Sequence, residues 1–484
     1  MSHKTMSVNR PFLPCSAVLL AGLLSGCIAV GPDYRSPETA MPAAWTQLSQ
    51  TTGAWQVQDL SSWWQQLDDP RLSSLISEAL QANLDLQAAR SRLREARARR
   101  NVAAAGQVPE IGASGQAAFS ETSDDTGGGS RESYRAGFDA SWELDLFGRT
   151  RRTVEAAEAD LEATEASLRD VQVSLIAEVA TGYIELRTSQ LRRTITQNNL
   201  TAQSETLQLV TWRAEAGLAD RQEVVQALAN REQTRAQMPR LETDIIQARH
   251  RLELLLGRQP GSLAERLDNV ADLPTLPTRI GVGIPADTLR QRPDIVRAER
   301  TLAAETARLG VAEAARYPSF ALSGSIGVEA LRFAALTSSG AAAGSLIAGV
   351  SAPLFDGGRL RNQALIQDEI RHQAEIAYRH TILTALQEVE NSLVALVRAE
   401  QRRTTLADAA AAAAEAAGLA QLRYRGGVID FQAVLDTERT RLSIEDSLAS
   451  SRAEALLALI GLYKALGGGW STPTAASSDD EKLP

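Results

Sequence analysis

The chain repeats itself at long range. Asn83-Leu84-Asp85-Leu86 is followed 209 residues later by Arg292-Pro293-Asp294-Ile295, and Val108-Pro109-Glu110-Ile111 at the same offset by Tyr317-Pro318-Ser319-Phe320. Beyond that point the offset is 210, pairing Phe147-Gly148-Arg149 with Gly357-Gly358-Arg359, Gly217 and Asp220 with Gly427 and Asp430, and Leu256-Gly257 with Leu466-Gly467. An offset this constant over more than 170 residues marks a tandem duplication with one residue gained between Pro318 and Gly357. Residues 71–257 and 286–470 are the two copies, joined by the Pro- and Gly-rich linker 258–285. Whatever one copy builds, the fold must hold twice.

Within each copy the apolar period switches between 2 and 3.6. Tyr134, Ala136, Phe138, Ala140, Trp142 and Leu144 alternate with Arg135, Gly137, Asp139, Ser141, Glu143 and Asp145. Ile111, Ala113, Gly115, Ala117 and Phe119 form a second alternating run, and Asp124–Gly129 supplies the turn between the two. In the second copy Phe320, Leu322, Ile326 and Val328 alternate with polar or small residues, as do Leu346, Ala348, Val350 and Leu354. Four strands of about 10 residues are long enough to cross a bilayer. Two soluble hairpins are the alternative, but the flanking helices offer no spare apolar face to cover a sheet. In hydrocarbon an open sheet edge is excluded, and known single-chain barrels begin at eight strands, so four must close with other chains.

The helical segments are long. Gly148–Glu215 and Gly358–Arg425 contain no proline, and a helix of ~100 Å is expected from each. Shorter helices are expected over Arg71–Ala105 and Asp220–Leu256 in the first copy, and over Ala286–Arg316 and Asp430–Leu466 in the second. Asp220 with Glu223 reads as a capping box, and small residues such as Ala409–Ala414 allow close helix packing. The long helices turn back at Glu215-Ala216-Gly217-Leu218-Ala219 and Arg425-Gly426-Gly427-Val428-Ile429, where glycine suits a left-handed C-terminal cap. A structural coiled-coil surface lipoprotein would account for the helices but not for the strands.

The N-terminus sets the compartment. Lys4 and Arg10 precede the apolar stretch Phe12–Leu24, which ends in Leu24-Ser25-Gly26-Cys27. That is a lipobox: residues 1–26 form a signal peptide, Cys27 carries the lipid, and Ile28 rather than Asp follows it. Stable anchoring follows from several acyl chains, at about 0.8 kcal/mol per buried methylene. The other cysteine, Cys15, leaves with the signal, so no internal disulfide can form. Loss of Lys4 and Arg10 takes the formal charge from −9 to −11, which argues against nucleic acid. After Cys27 no apolar run of 18 residues occurs, so any membrane crossing must be made by strands.

The spaced motifs then resemble a known family. Gly31-Pro32-Asp33-Tyr34, Trp63-Trp64, Leu67-Asp68-Asp69-Pro70, Asn83-Leu84-Asp85-Leu86 and Trp142-Glu143-Leu144-Asp145-Leu146-Phe147-Gly148 are similar to the outer-membrane factors of tripartite efflux systems, the nodulation-type, TolC-like lipoproteins. So are Arg292-Pro293-Asp294-Ile295, Pro353-Leu354-Phe355-Asp356-Gly357-Gly358 and Tyr424-Arg425-Gly426-Gly427, and the likeness runs from Cys27 to about Trp470. It implies an α+β membrane protein, a homotrimer whose four strands per chain make a 12-stranded outer-membrane β-barrel continuous with a long periplasmic α-helical barrel. It also implies an inner-membrane pump of the resistance-nodulation-division type and a periplasmic adaptor (a membrane fusion protein) as partners, with outer-membrane lipid around the strands. By the same resemblance the periplasmic gate falls on Arg423, Tyr424 and Asp436, and the adaptor meets the tips Gly217, Leu218, Gly426, Gly427 and Val428. Arg423 and Asp436 lie on either side of a turn and can pair across antiparallel helices; three copies of Asp436 would favour cations and hinder leakage.

An enzyme is not expected. The mature chain holds only His250, His372 and His380, and His372 and His380 lie eight residues apart on one helix, too far for one metal. No nucleophile elbow, phosphate loop or zinc-protease motif occurs, and no cofactor is expected beyond the covalent lipid on Cys27. A passive, gated exit duct for drugs or other small molecules is the function implied, with type I protein secretion as the alternative. The polar tail 471–484 is expected to be disordered.

Overall fold

The computed structural model describes residues 29–37, 42, 44–46, 54–56, 60–122, 128–269, 271–277, 279–281 and 289–470. Cys27, the signal 1–26, the loop residues Asp124–Gly127 and the tail 471–484 lie outside the described residues. In chain order the elements are β1 (Ala54–Gln56), α1 (Pro70–Ala82), α2 (Leu84–Ala105), β2 (Glu110–Thr122), β3 (Gly129–Leu144), α3 (Arg149–Glu215), α4 (Arg221–Arg235), α5 (Met238–Leu255), α6 (Ala264–Leu267) and β4 (Arg279–Gly281). They continue with α7 (Pro293–Ala314), β5 (Ser319–Ala330), β6 (Ala342–Ser351), α8 (Arg359–Arg425) and α9 (Phe431–Ala465). The chain divides into two compact units.

The first unit takes in residues 1–37, 94–164 and 298–378 and holds one antiparallel sheet in the order β2-β3-β5-β6. The register carries the alternation through all four strands. Ala113 pairs with Phe138, Phe138 with Ile326 and Ile326 with Gly344, all on the apolar face. On the opposite face Gly112 pairs with Asp139, Asp139 with Ser325 and Ser325 with Ser345. That polar face is internally bonded: Ser114 donates to Asp139 at 2.5 Å, Arg135 to Ser325 at 3.2 Å, and the Ser325 and Ser345 hydroxyls meet at 2.9 Å. The apolar face is bare, with Phe138 60%, Ile326 69%, Leu346 76% and Val350 66% exposed. In water each such side chain forgoes about 1.5–3 kcal/mol of burial. Among the described residues no helix is long and apolar enough to cross a membrane.

In the same unit the Gly31-Pro32-Asp33-Tyr34 arm is strapped down by a buried arginine. Arg152 is 5% exposed and donates to the carbonyls of Val30 and Gly31 and, at 2.7 Å, to Asp33. Gly31 has φ +92°, and a Cβ there would come within 2.6 Å of the Gly310 Cα, so the arm crosses here only with glycine at 31. The Tyr34 hydroxyl donates to Glu299 at 3.1 Å.

The second unit, residues 38–93, 165–297 and 379–484, is a helix bundle in which the Trp63 and Tyr463 rings pack with centroids 5.2 Å apart. Both long helices run as expected, at 67 residues each. Two of the shorter ones break, and the one expected over Ala286–Arg316 runs as α7 only from Pro293 to Ala314. The segment expected as one helix over Arg71–Ala105 breaks at Asn83, whose ψ of 131° is extended. Asn83 caps α2 by accepting from the Leu86 N–H and donates its amide to the Leu255 carbonyl, so a distant helix end holds the break open. The segment expected over Asp220–Leu256 breaks between α4 and α5 because Pro239 has no N–H to continue the ladder. Its counterpart in the second copy is Ala449, and there α9 runs unbroken. Within the linker lie α6 and β4, and β4 pairs in parallel with β1.

The duplication extends to individual contacts. Asn83 donates to the last-turn carbonyl of Leu255 at 2.9 Å, and Arg292, one offset on, donates to that of Ala465 at 2.6 Å. Arg292 is 6% exposed and also binds Asp294 and Glu388, each at 2.7 Å.

Candidate functional site at the helical turns

The α3–α4 and α8–α9 turns have one backbone design. Gly217 and Gly427 sit at φ +72° and +71°, in the left-handed region where a side chain costs about 1 kcal/mol. At the first turn the Gly217 N–H donates to Ala214 and the Leu218 N–H to Arg213; at the second the Gly427 N–H donates to Tyr424 and the Val428 N–H to Arg423. Both are Schellman caps, as expected for Gly217 and Gly427. The next helix begins on an Asp in each case, with Asp220 accepting from Gln222 and Asp430 from Ala433. Gly426 continues the helical turn, its N–H donating to Leu422 at 3.1 Å. Leu218 and Val428 stand 69% and 74% exposed, two apolar tips in water.

Beneath the turns the four helices share one core. Val210, Ala227, Ala420, Tyr424, Phe431, Val434 and Leu435 are all buried together. Tyr424 lies at its centre, 3% exposed, with its ring 5.4 Å from Phe431. Arg213 of α3 lies over the ring at 4.5 Å and donates to the Tyr424 carbonyl at 2.7 Å. The Tyr424 hydroxyl donates to Glu223 at 2.6 Å. Burial, then that bond and the Glu223 charge, push the phenol pKa up, with Arg213 opposing. Tyr424 is therefore a neutral donor at any physiological pH.

Two sequence expectations change here. The capping box is half present: Asp220 caps α4, but the Glu223 carboxylate turns to Tyr424, 201 residues away. The expected Arg423–Asp436 pairing is absent within the chain among the described residues. Arg423 is exposed, and Asp436 is exposed and accepts from Gln432 of its own helix at 3.0 Å. The turn between them is closed by its own backbone bonds, Gly427 N–H to Tyr424 and Val428 N–H to Arg423, without an ion pair. Sequence reasoning misses Arg213, and it gives Glu223 a capping role in place of its bond to Tyr424; the 210-residue offset that sets Arg213 opposite Arg423 is the one signal that marks the first.

A bare-faced four-stranded sheet, a bundle of very long helices and glycine-capped turns define the class: an outer-membrane channel protein. Residues 75–258 and 284–468 match the outer membrane efflux protein family, and the chain belongs to that family. The two matched segments begin 209 and end 210 residues apart, the offsets of the duplication. Nodulation protein T of Rhizobium leguminosarum bv. viciae is 33% identical over 463 residues, covering 96% of this chain and 95% of that protein. Outer membrane protein OprJ of Pseudomonas aeruginosa is 30% identical over 478 residues, covering 96% and 97%. The solved structure of the outer-membrane channel OprN superposes with a TM-score of 0.87 at 38% identity, covering 91% of this chain and 99% of that one. The protein is an outer-membrane efflux channel; its relatives are channels and not enzymes.

Proposed function

We propose that three copies of this chain form the exit duct of a tripartite efflux pump, gated at the α8–α9 turns. The bare apolar face of the sheet carries this reading, because four strands with two open edges can face lipid only by closing with other chains. Three chains of four strands make a barrel of twelve, continuous with a periplasmic helical tunnel. Cys27 carries the lipid that holds the arm at the membrane. A periplasmic adaptor grips the tips Gly217, Leu218, Gly426, Gly427 and Val428, and an inner-membrane pump of the resistance-nodulation-division type drives cargo of small-molecule size. The exposed apolar Leu218 and Val428 support the adaptor contact.

At the gate, Tyr424 with Arg213 and Glu223 holds the turn shut, while exposed Asp436 and Arg423 face the pore. No cofactor takes part beyond the covalent lipid. The assembly is tested by labelling cells with radioactive palmitate and running the purified protein unheated on SDS gels. A labelled trimer is expected, reduced to an unlabelled one by Cys27→Ala. An unlabelled wild-type protein would remove the anchor, and a monomer in every detergent would remove the barrel.

A further inference from the structure

Glu438 lies on α9 two residues beyond Asp436, and it is 5% exposed. Thr206 of α3 donates to its Oε1 at 2.7 Å and Gln421 of α8 at 3.1 Å, so one carboxyl joins three helices. Its Oε2 has no partner among the described residues, and no ion pair reaches it there. Arg441, the cation that acts on it through space, is bonded to Glu445 at 2.8 Å. Gln203, three residues before Thr206 and so on the same face of α3, has a buried Oε1 that also lacks a donor among the described residues. A buried carboxyl with one oxygen lacking a donor is less costly to keep protonated than charged.

The wall itself does not need an acid here. The 210-residue offset places Leu228 opposite Glu438, Ala416 opposite Thr206 and Thr211 opposite Gln421, so the first copy builds the same element without this triad. A buried, half-bonded carboxyl added only beside the gate makes the packing conditional on its ionisation.

Resting on the gate reading above, we infer that Glu438 is a proton-operated latch that positions the gate: as the neutral acid it holds α9 against α3 and α8, and as the carboxylate it releases the segment that carries Asp436. Burial pushes the Glu438 carboxyl up, outweighing the Thr206 and Gln421 bonds and the Arg441 charge that pull it down. The other charges of the packed elements are engaged or turned outward. Arg213 and Glu223 hold Tyr424, Arg439 donates to Asn230, and Arg231 bonds Glu232, while Glu205, Glu415 and Arg423 are exposed. An acid with a raised pKa in the packed state stabilises packing at low pH and loses that contribution as pH rises through the raised value. One proton per latch allows the open-to-closed ratio to rise by at most about tenfold per pH unit per chain.

The test is single-channel recording of the full-length lipidated protein in planar bilayers across the acidic to neutral range. Wild type is expected to open more as pH rises above the ordinary glutamate range. Glu438→Gln, which keeps the bonds and cannot ionise, should stay closed and lose this pH dependence; Glu438→Leu, copying the first copy, should lose it while the trimer assembles. A Glu438→Gln profile that matches wild type would overturn the latch. Asp436→Asn separates the two readings. If it alters conductance while Glu438→Gln keeps the wild-type pH profile, the gate stands and the latch falls. If it has no effect while Glu438→Gln flattens the profile, the latch stands and Asp436 is not the gate.

Discussion

The two turns at the ends of the long helices share a backbone and differ in side chains. Gly217 and Gly427 take the same φ within a degree, and the same pair of cap hydrogen bonds closes each turn. Yet Tyr424 replaces Ala214, Asp436 replaces Gln226 and Glu438 replaces Leu228 when the offset is applied. At the other end of the bundle the pattern recurs: Asn83 and Arg292 reach equivalent carbonyls, but only Arg292 also binds two acids. The lesson is a division of labour. Whatever both copies share builds the wall, and whatever only the second copy has is free to control it.

The largest expected effect tests the bundle. Arg292→Ala removes a buried cation from two carboxylates and a helix end, and should cost about 3 kcal/mol. Asn83→Ala, at the equivalent place, should cost about 1–2 kcal/mol. Denaturation midpoints in detergent compare them; equal losses would mean that the added acids contribute nothing.

At the turn the stakes are smaller. Tyr424→Phe leaves the ring in the core but deprives Glu223 of its donor, for about 1 kcal/mol. Hydrogen exchange should quicken at the start of α9 and at the α4 N-terminus together. Acceleration at one alone would show that the bond does not couple them. Smallest and most symmetric are Gly217→Ala and Gly427→Ala, each expected to cost about 1 kcal/mol through the same φ. A clear difference between them would show that the two caps, despite their matched geometry, are not equivalent.

Much of this was legible in the sequence. Alternation in Tyr134–Leu144 and its three partner runs gives the strands, and the offset gives their duplication. Proline-free Gly148–Glu215 and Gly358–Arg425 give the long helices, and the glycines give the turns. The break at Asn83 was not legible, because an asparagine mid-helix becomes a cap only when the Leu255 carbonyl arrives from 172 residues away. Pro239 is a breaker the sequence does show, but a proline near a helix start is also tolerated, so it does not by itself mark a break. Within the site, Arg423, Tyr424 and Asp436 came from resemblance, and Tyr424 proves central to the core. Glu223 looked like a capping residue because capping is local, whereas its actual partner is set by packing of α4 against α8. Arg152 and Glu438 look like ordinary helix charges until tertiary structure buries them.

The claim that control resides where the copies differ is tested most directly by single-channel conductance of Asp436→Ala beside Gln226→Ala, its counterpart in the first copy. The account predicts a higher resting conductance for Asp436→Ala and none for Gln226→Ala. Equal increases, or an unchanged closed state in both, would contradict it.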